Sequence, residues 1–186
     1  MPGAWRVGAW LHTADYADNY RDVAGGSFIV TGRPANSHEG TRGVYLAAGQ
    51  MLWREGESPD KREQGTGIFG RVGGAPRDHS TFEWVASGGV HYQGLLPGRD
   101  EDTLAVGVVF AQVSRDARRQ QRDDRDVNGV NYAALADHEF VLEVTYRCHL
   151  RPWLVVEPDV QWMRHPGGSG ATPDAFLLGL RANLTF

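Results

Sequence analysis

The chain has 186 residues, 41% of them hydrophobic, and a formal net charge of −4. So small and negative a charge argues against binding nucleic acid by bulk electrostatics. No apolar run approaches the roughly 18 residues of a spanning helix, and mean hydropathy is −0.43, which leaves open a membrane β-barrel, where only alternate side chains meet lipid.

Glycine (24 residues) and six tryptophans suit twisted sheets with close backbone approaches and interfacial anchors. The single Cys148 excludes an internal disulfide and a Cys-rich zinc site, and reads as a small packing side chain. Met1-Pro2-Gly3-Ala4-Trp5 is not a secretory signal. An exported barrel needs one, so the chain is expected to be the C-terminal part of something longer or a truncated reading frame.

Period-2 alternation recurs without long helical periodicity, which predicts an all-β chain of eight strands at about 5–13, 42–54, 65–73, 82–95, 103–113, 138–149, 153–162 and 175–186. The first carries Arg6, Trp10 and His12 on one parity. In the second, Tyr45 and Trp53 share a parity and read as two interface aromatics, which puts Val44, Leu46 and Leu52 inside. The fourth sets Trp84, Ala86, Gly88, Val90 and Tyr92 against Ser87, Gly89, His91 and Gln93. In the sixth, Phe140, Leu142, Val144, Tyr146 and Cys148 oppose Glu139, Val141, Glu143, Thr145, Arg147 and His149. The seventh sets Leu154, Val156, Val160 and Trp162 against Val155, Glu157, Asp159 and Gln161; Pro158 cannot donate to the ladder, so a bulge is expected there. The last alternates Phe176, Leu178, Leu180, Ala182, Leu184 and Phe186 with Leu177, Gly179, Arg181, Asn183 and Thr185. An outer-membrane strand needs such a lipid face, interfacial aromatic and polar lumen face.

Connections 14–41, 74–81, 114–137 and 163–174 are long and polar, and 55–64, 96–102 and 150–152 are short, so the two kinds alternate as in an antiparallel meander. With Phe186 on the periplasmic side, the long set is extracellular. The doubly charged run 115–126 reads as a solvated loop.

From Val141 to Trp162 the sequence resembles the C-terminal half of a carbohydrate-selective porin of the OprB family. The matching elements are Leu142-Glu143 with Tyr146, Leu150, Pro152-Trp153-Leu154, Pro158-Asp159 with Gln161, Pro166-Gly167-Gly168, Gly179-Leu180-Arg181 and the closing Phe186. Gly8-Ala9-Trp10, Gly43-Val44-Tyr45, Gly67-Ile68-Phe69-Gly70-Arg71 and Pro97-Gly98-Arg99 extend the likeness upstream. The resemblance implies an antiparallel transmembrane β-barrel of about sixteen strands, about half of them here, with residues 1–186 forming one portion and no separate domains. It also implies passive diffusion of small sugars across the bacterial outer membrane, with no catalysis and no cofactor.

Pore-lining candidates are Trp10, Glu143, Arg147, Glu157, Asp159, Gln161, Arg181 and Asn183. Carboxylates accept from sugar hydroxyls, Arg forks donate to their oxygens, and Trp10 offers a ring for stacking. Glu143, Asp159 and Arg181 equally suit cross-strand pairs that hold the wall. Trp5, Tyr92, Trp162 and Phe186 read as membrane-interface anchors. Expected partners are sugars, outer-membrane lipid, the barrel-assembly machinery through the strand ending in Phe186, and further copies of the chain. Two other readings stay open: a self-contained eight-stranded barrel with a binding or structural role, and a glycoside-acting enzyme using Glu143 with Glu157 or Asp159. Gly70–Ala75 lacks the Lys-Ser/Thr of a phosphate loop. The seven histidines show no pair at metal spacing, so no metal site is expected. Ser80, Ser87 and Ser114 lack a nucleophile-elbow context.

Overall fold

The computed structural model describes residues 3–56, 64–132 and 135–185. Eight strands, β1 (Gly3–Asp22), β2 (Ala35–Arg54), β3 (Gly65–Gly74), β4 (Phe82–Gln93), β5 (Thr103–Val113), β6 (His138–Arg151), β7 (Leu154–Arg164) and β8 (Ala175–Leu184), form one antiparallel sheet in chain order. Among the described residues β1 pairs only with β2 and β8 only with β7. The sheet is open, so these eight strands do not close into a barrel by themselves. Helix α1 (Phe28–Thr31) lies in the β1–β2 connection, α2 (Arg115–Asn128) in the β5–β6 connection, and a 3-10 turn (Pro166–Gly168) before β8. No helix among the described residues is long and apolar enough to cross a membrane.

Directly opposed residues of an antiparallel pair share a face, so the register carries each face across the sheet. One row runs Trp5, Ala48, Gly70, Gly88, Val108, Leu142, Trp162, Phe176 from β1 to β8. The opposite face reads Ala4, Gly49, Phe69, Gly89, Gly107, Glu143, Gln161, Leu177. Among the described residues nothing covers the apolar face: Val7 is 82% exposed, Leu178 77% and Leu180 74%. Among the described residues only Ala111, Val113 and Ala136 are buried hydrophobics, so the sheet has no packed layer behind it. Such a surface is far larger than a soluble monomer leaves bare.

Four expectations are corrected by this geometry. On β2, Val44 and Leu46 face out with Val7, Ala9 and Val72, and Tyr45 faces the polar side opposite Gly8 and Gly73. Tyr45 is held there by the Arg71 guanidinium, 4.8 Å from its ring centroid. A bulge between Met51 and Trp53 then exchanges the faces, so Trp53 does point outward, opposite Thr66. Segment 14–41 is mostly strand rather than loop, because β1 continues to Asp22 and β2 begins at Ala35. Two bulges, after His12 and after Ala17, keep this polar extension paired. Gly40, at φ 74°, sits at the first, where a Cβ would lie 2.8 Å from the His12 carbonyl oxygen.

The run 115–126 is helical, not a solvated loop. Ser114 caps α2, its Oγ accepting from Ala117 N at 3.2 Å, and Gly129 closes the helix at φ 65°. Pro158 causes no bulge. It pairs in register with Leu180, and β6–β7 pairing only lapses between Cys148–Val156 and Thr145–Asp159 before resuming unshifted. Because both the N–H and C=O of a strand residue point to the same neighbour, the missing donor leaves a gap on one side only.

Every long connection lies at one end of the sheet. There the far half of β1 crosses to the end of β5: Asn19 Nδ2 donates to the Ser80 carbonyl at 2.8 Å and to Ser114 Oγ at 3.4 Å, and Ser114 N donates to the Thr81 carbonyl at 2.8 Å. Asp116, 1% exposed, pairs with Arg77 at 3.5 Å and Arg119 at 3.4 Å.

Candidate functional site: the polar wall

The polar face owes its shape to glycine. Trp10 lies across Gly43, Tyr45 across Gly8, His91 across Gly67 and Asp159 across Gly179, and a Cβ at any of these glycines would collide with the side chain above it. Phe69 lies against Gly89, where a Cβ would come 2.7 Å from the ring. Bulky side chains therefore recline along the wall instead of projecting from it, and the face keeps open space. One cavity of about 330 Å³ is lined by Trp10, Tyr45, Arg71, Val85, Ser87 and Val109. Another of about 300 Å³ lies among Phe69, Ser87, Val109, Val141, Glu143 and Thr145.

The charged part of the wall is concentrated on β6–β8. Glu157 pairs with two guanidiniums at once, accepting a hydrogen bond from Arg181 Nη1 at 3.2 Å and forming an ion pair with Arg147 Nε at 3.3 Å. Glu157 is 13% exposed in its side chain, whereas the arginines are 52% and 73% exposed and present their remaining N–H groups outward. Beside them, Thr145 Oγ1 donates to Glu143 Oε1 at 2.8 Å, and Gln161 Nε2 donates to Asp159 Oδ2 at 3.2 Å. Acceptors and donors alternate along the wall within reach of a polyhydroxylated solute.

The structure thus brings together Glu143, Arg147, Glu157, Asp159, Gln161, Arg181 and Asn183, all facing one side of three adjacent strands. Trp10 shares their face but sits on β1, at the other edge of the sheet, in a cluster with Tyr45 and Arg71 that sequence reading did not assign to the wall. The signal existed: Gly67, Phe69, Arg71 and Gly73 form one parity, with an arginine between an aromatic residue and a glycine. No group of three metal-ligating side chains gathers on the wall among the described residues; His38, Asp78 and His79 do gather, at the long-connection end.

Trp5, Tyr92 and Trp162 all lie on the apolar face, while Phe186 lies outside the described residues. Tyr92 and Trp162 belong to two aromatic rows. Near the short turns Trp53 and Tyr92 meet at 6.0 Å. Near the long connections Trp84 stacks on Phe110 at 5.2 Å, and Phe140 meets Trp162 edge-on at 6.0 Å. On β4 the rows are separated by the stretch from Trp84 to Tyr92, about 26 Å of strand.

The short-turn end is locked by one carboxylate. Asp102, 3% exposed, accepts from Arg99 Nε at 2.7 Å, the Tyr146 hydroxyl at 2.6 Å and His149 N at 2.8 Å. Burial works to raise its pKa, but the bonds from Tyr146, His149 and Arg99 outweigh it and hold the carboxyl below its usual range.

Comparison with known proteins agrees with this geometry. The family described as "Carbohydrate-selective porin, OprB family" matches residues 1–186. Porin B of Pseudomonas aeruginosa is 27% identical over 192 residues, covering all of this chain and 42% of that protein. The putative porin QuiX of Acinetobacter baylyi is 22% identical over 196 residues, covering 41% of its length. The high-pH structure of Pseudomonas putida OprB superposes with a TM-score of 0.89 at 26% identity, covering the whole chain and 45% of its own. The chain thus spans less than half the length of the relatives it matches. It belongs to the OprB family of carbohydrate-selective porins, which are outer-membrane proteins and not enzymes.

Proposed function

We propose that these eight strands form one side of a water-filled conduit through which small sugars diffuse passively. One observation carries the reading: between the aromatic rows the strand register gathers the charged side chains Arg6, Arg71, Glu143, Arg147, Glu157, Asp159 and Arg181 on one face and leaves the other apolar. Glu143, Arg147, Glu157, Asp159, Gln161, Arg181 and Asn183 offer hydroxyl partners, and Trp10 offers a ring face to sugar C–H groups. A wall bearing both signs favours neutral polyols over ions, through weak contacts that allow exit. The apolar face meets lipid, with Trp5, Tyr92, Trp162 and Phe186 at its interfaces. The assembly machinery engages the last strand and Phe186, and further copies associate through the lipid face.

Proteoliposome swelling tests the conduit. Vesicles holding the protein should swell in isosmotic neutral monosaccharide and not in a large oligosaccharide. Sugar cleavage, or vesicles as tight as protein-free ones, would refute it. Labelling with a lipid-soluble photoprobe tests the facing, with Leu142 and Leu180 expected to react and Glu143 and Arg181 to stay unmarked.

A further inference from the structure

At the long-connection end, three ligand-bearing side chains from two distant parts of the chain meet. One donor atom from each of His38, Asp78 and His79 lies within 4.8 Å of the other two. The His38 and His79 rings stack at 4.7 Å. His79 is the telling member. Its side chain is 7% exposed, and neither ring nitrogen makes a hydrogen bond. Asp78 Oδ1 comes within 2.6 Å of His79 Nδ1, yet outside hydrogen-bond geometry, and is itself buried without a bond. Buried polar atoms left this way are costly and call for a partner.

Behind His38 stands Asp18, with Oδ2 2.8 Å from His38 Nε2 and a side chain 1% exposed. Its other oxygen accepts from Tyr20 N at 2.8 Å and Arg21 N at 2.7 Å. A carboxylate can only accept, so it fixes the proton on that nitrogen and leaves the other with a free lone pair. A carboxylate backing an imidazole is how metal-bound histidines are oriented.

We propose that His38, Asp78 and His79 bind one divalent transition-metal ion of the zinc class, with Asp18 as the positioning residue for His38. Two imidazoles and one carboxylate suit such an ion and not calcium or magnesium, which prefer all-oxygen shells. Tetrahedral ligands stand about 3.4 Å apart around zinc, so the donor atoms, now within 4.8 Å of one another, need adjust only slightly, Asp78 and His79 easing apart from their 2.6 Å contact. The ion would join β1, β2 and the β3–β4 connection at the mouth of the conduit.

The test uses the folded protein in detergent, stripped with EDTA, and does not depend on sugar passage. Titration with Co²⁺ should give visible ligand-field bands of a low-symmetry nitrogen–oxygen site saturating at one equivalent, and Zn²⁺ should displace them. His79→Ala should weaken binding by roughly 100-fold or more, and Asp18→Asn by roughly 10–100-fold. Should His79→Ala fail to fold, His38→Gln and the unaltered protein's Co²⁺ spectrum decide. Absent bands, or Zn²⁺ affinity unchanged in both histidine variants, would overturn the site.

Discussion

The body of the sheet and its long-connection end are built on opposite rules. In the body, most side chains' places follow from parity, and an antiparallel ladder interrupted by single bulges carries each face from β1 to β8. At the end, the buried side chains include Asp18, Asp22, Ser114 and Asp116; Asp18 and Asp22 are satisfied by nearby chain, while the Asn19 side chain spans 58 to 95 residues to reach the Arg77 carbonyl and Ser114. The body is stable only in a solvent that accepts its apolar face; the end is held by polar groups satisfying one another. A change that breaks one region should therefore leave the other standing.

The largest effect is expected in the body, from two neighbouring residues. Leu180→Arg puts a charge on the apolar face opposite Pro158 and should cost roughly 2–4 kcal/mol near the midplane. Arg181→Leu, one residue on and on the polar face, should leave folding nearly unchanged and alter permeation instead. Unfolding in lipid vesicles measures the first and swelling rates the second. Equal losses of stability would erase the distinction between faces.

This contrast also explains what could be read in advance. Alternation is local, so the eight strands, the facing of β4, β6, β7 and β8 and the charged residues of the wall were visible in the chain. Parity alone does not place Tyr45, because face depends on register as well: the bulge before Trp53 swaps the sides, and only the partner strands reveal the space over Gly8. α2 was hidden for a different reason. It has no apolar stripe, and its anchors, Asn19, Arg77 and Thr81, are remote in sequence. The same remoteness concealed the meeting of His38 with His79.

Next in size is the Asp102 lock, a buried polar device at the short-turn end. Asp102→Asn removes the charge but keeps the shape, and should cost about 1–3 kcal/mol at neutral pH. Because the folded carboxyl titrates below its ordinary value, its stabilisation is complete above about pH 4 and fades as pH falls through the lowered pKa. Denaturation midpoints should therefore differ between the two proteins near neutrality and converge in acid. A gap that persists in acid would assign the effect to shape and not to charge.

Smaller again is Ser114→Ala. Removing the cap and the acceptor of Asn19 should cost roughly 0.5–2 kcal/mol. The loss should be confined to the end of the sheet: hydrogen exchange should quicken in α2 and around Asn19 while β6 to β8 keep their protection. Faster exchange throughout the sheet would mean that the two regions fold as one unit.

The smallest change in stability, and the most informative about the wall, is expected from Glu157→Gln. The two ion pairs it removes are formed with arginines 52% and 73% exposed, and such pairs contribute about 0–1 kcal/mol each. Folding should barely register the loss. The local field should, because Arg147 and Arg181 then face the conduit without a counter-charge. Reversal potentials in a salt gradient should move toward anion preference, strongly in dilute salt and weakly near 1 M, where screening shortens to about 3 Å. Adding Arg181→Gln removes one of the uncompensated charges and should bring the potential back. If Glu157→Gln instead unfolds the protein without moving the potential, the three residues are a structural clasp facing away from the path of the solute.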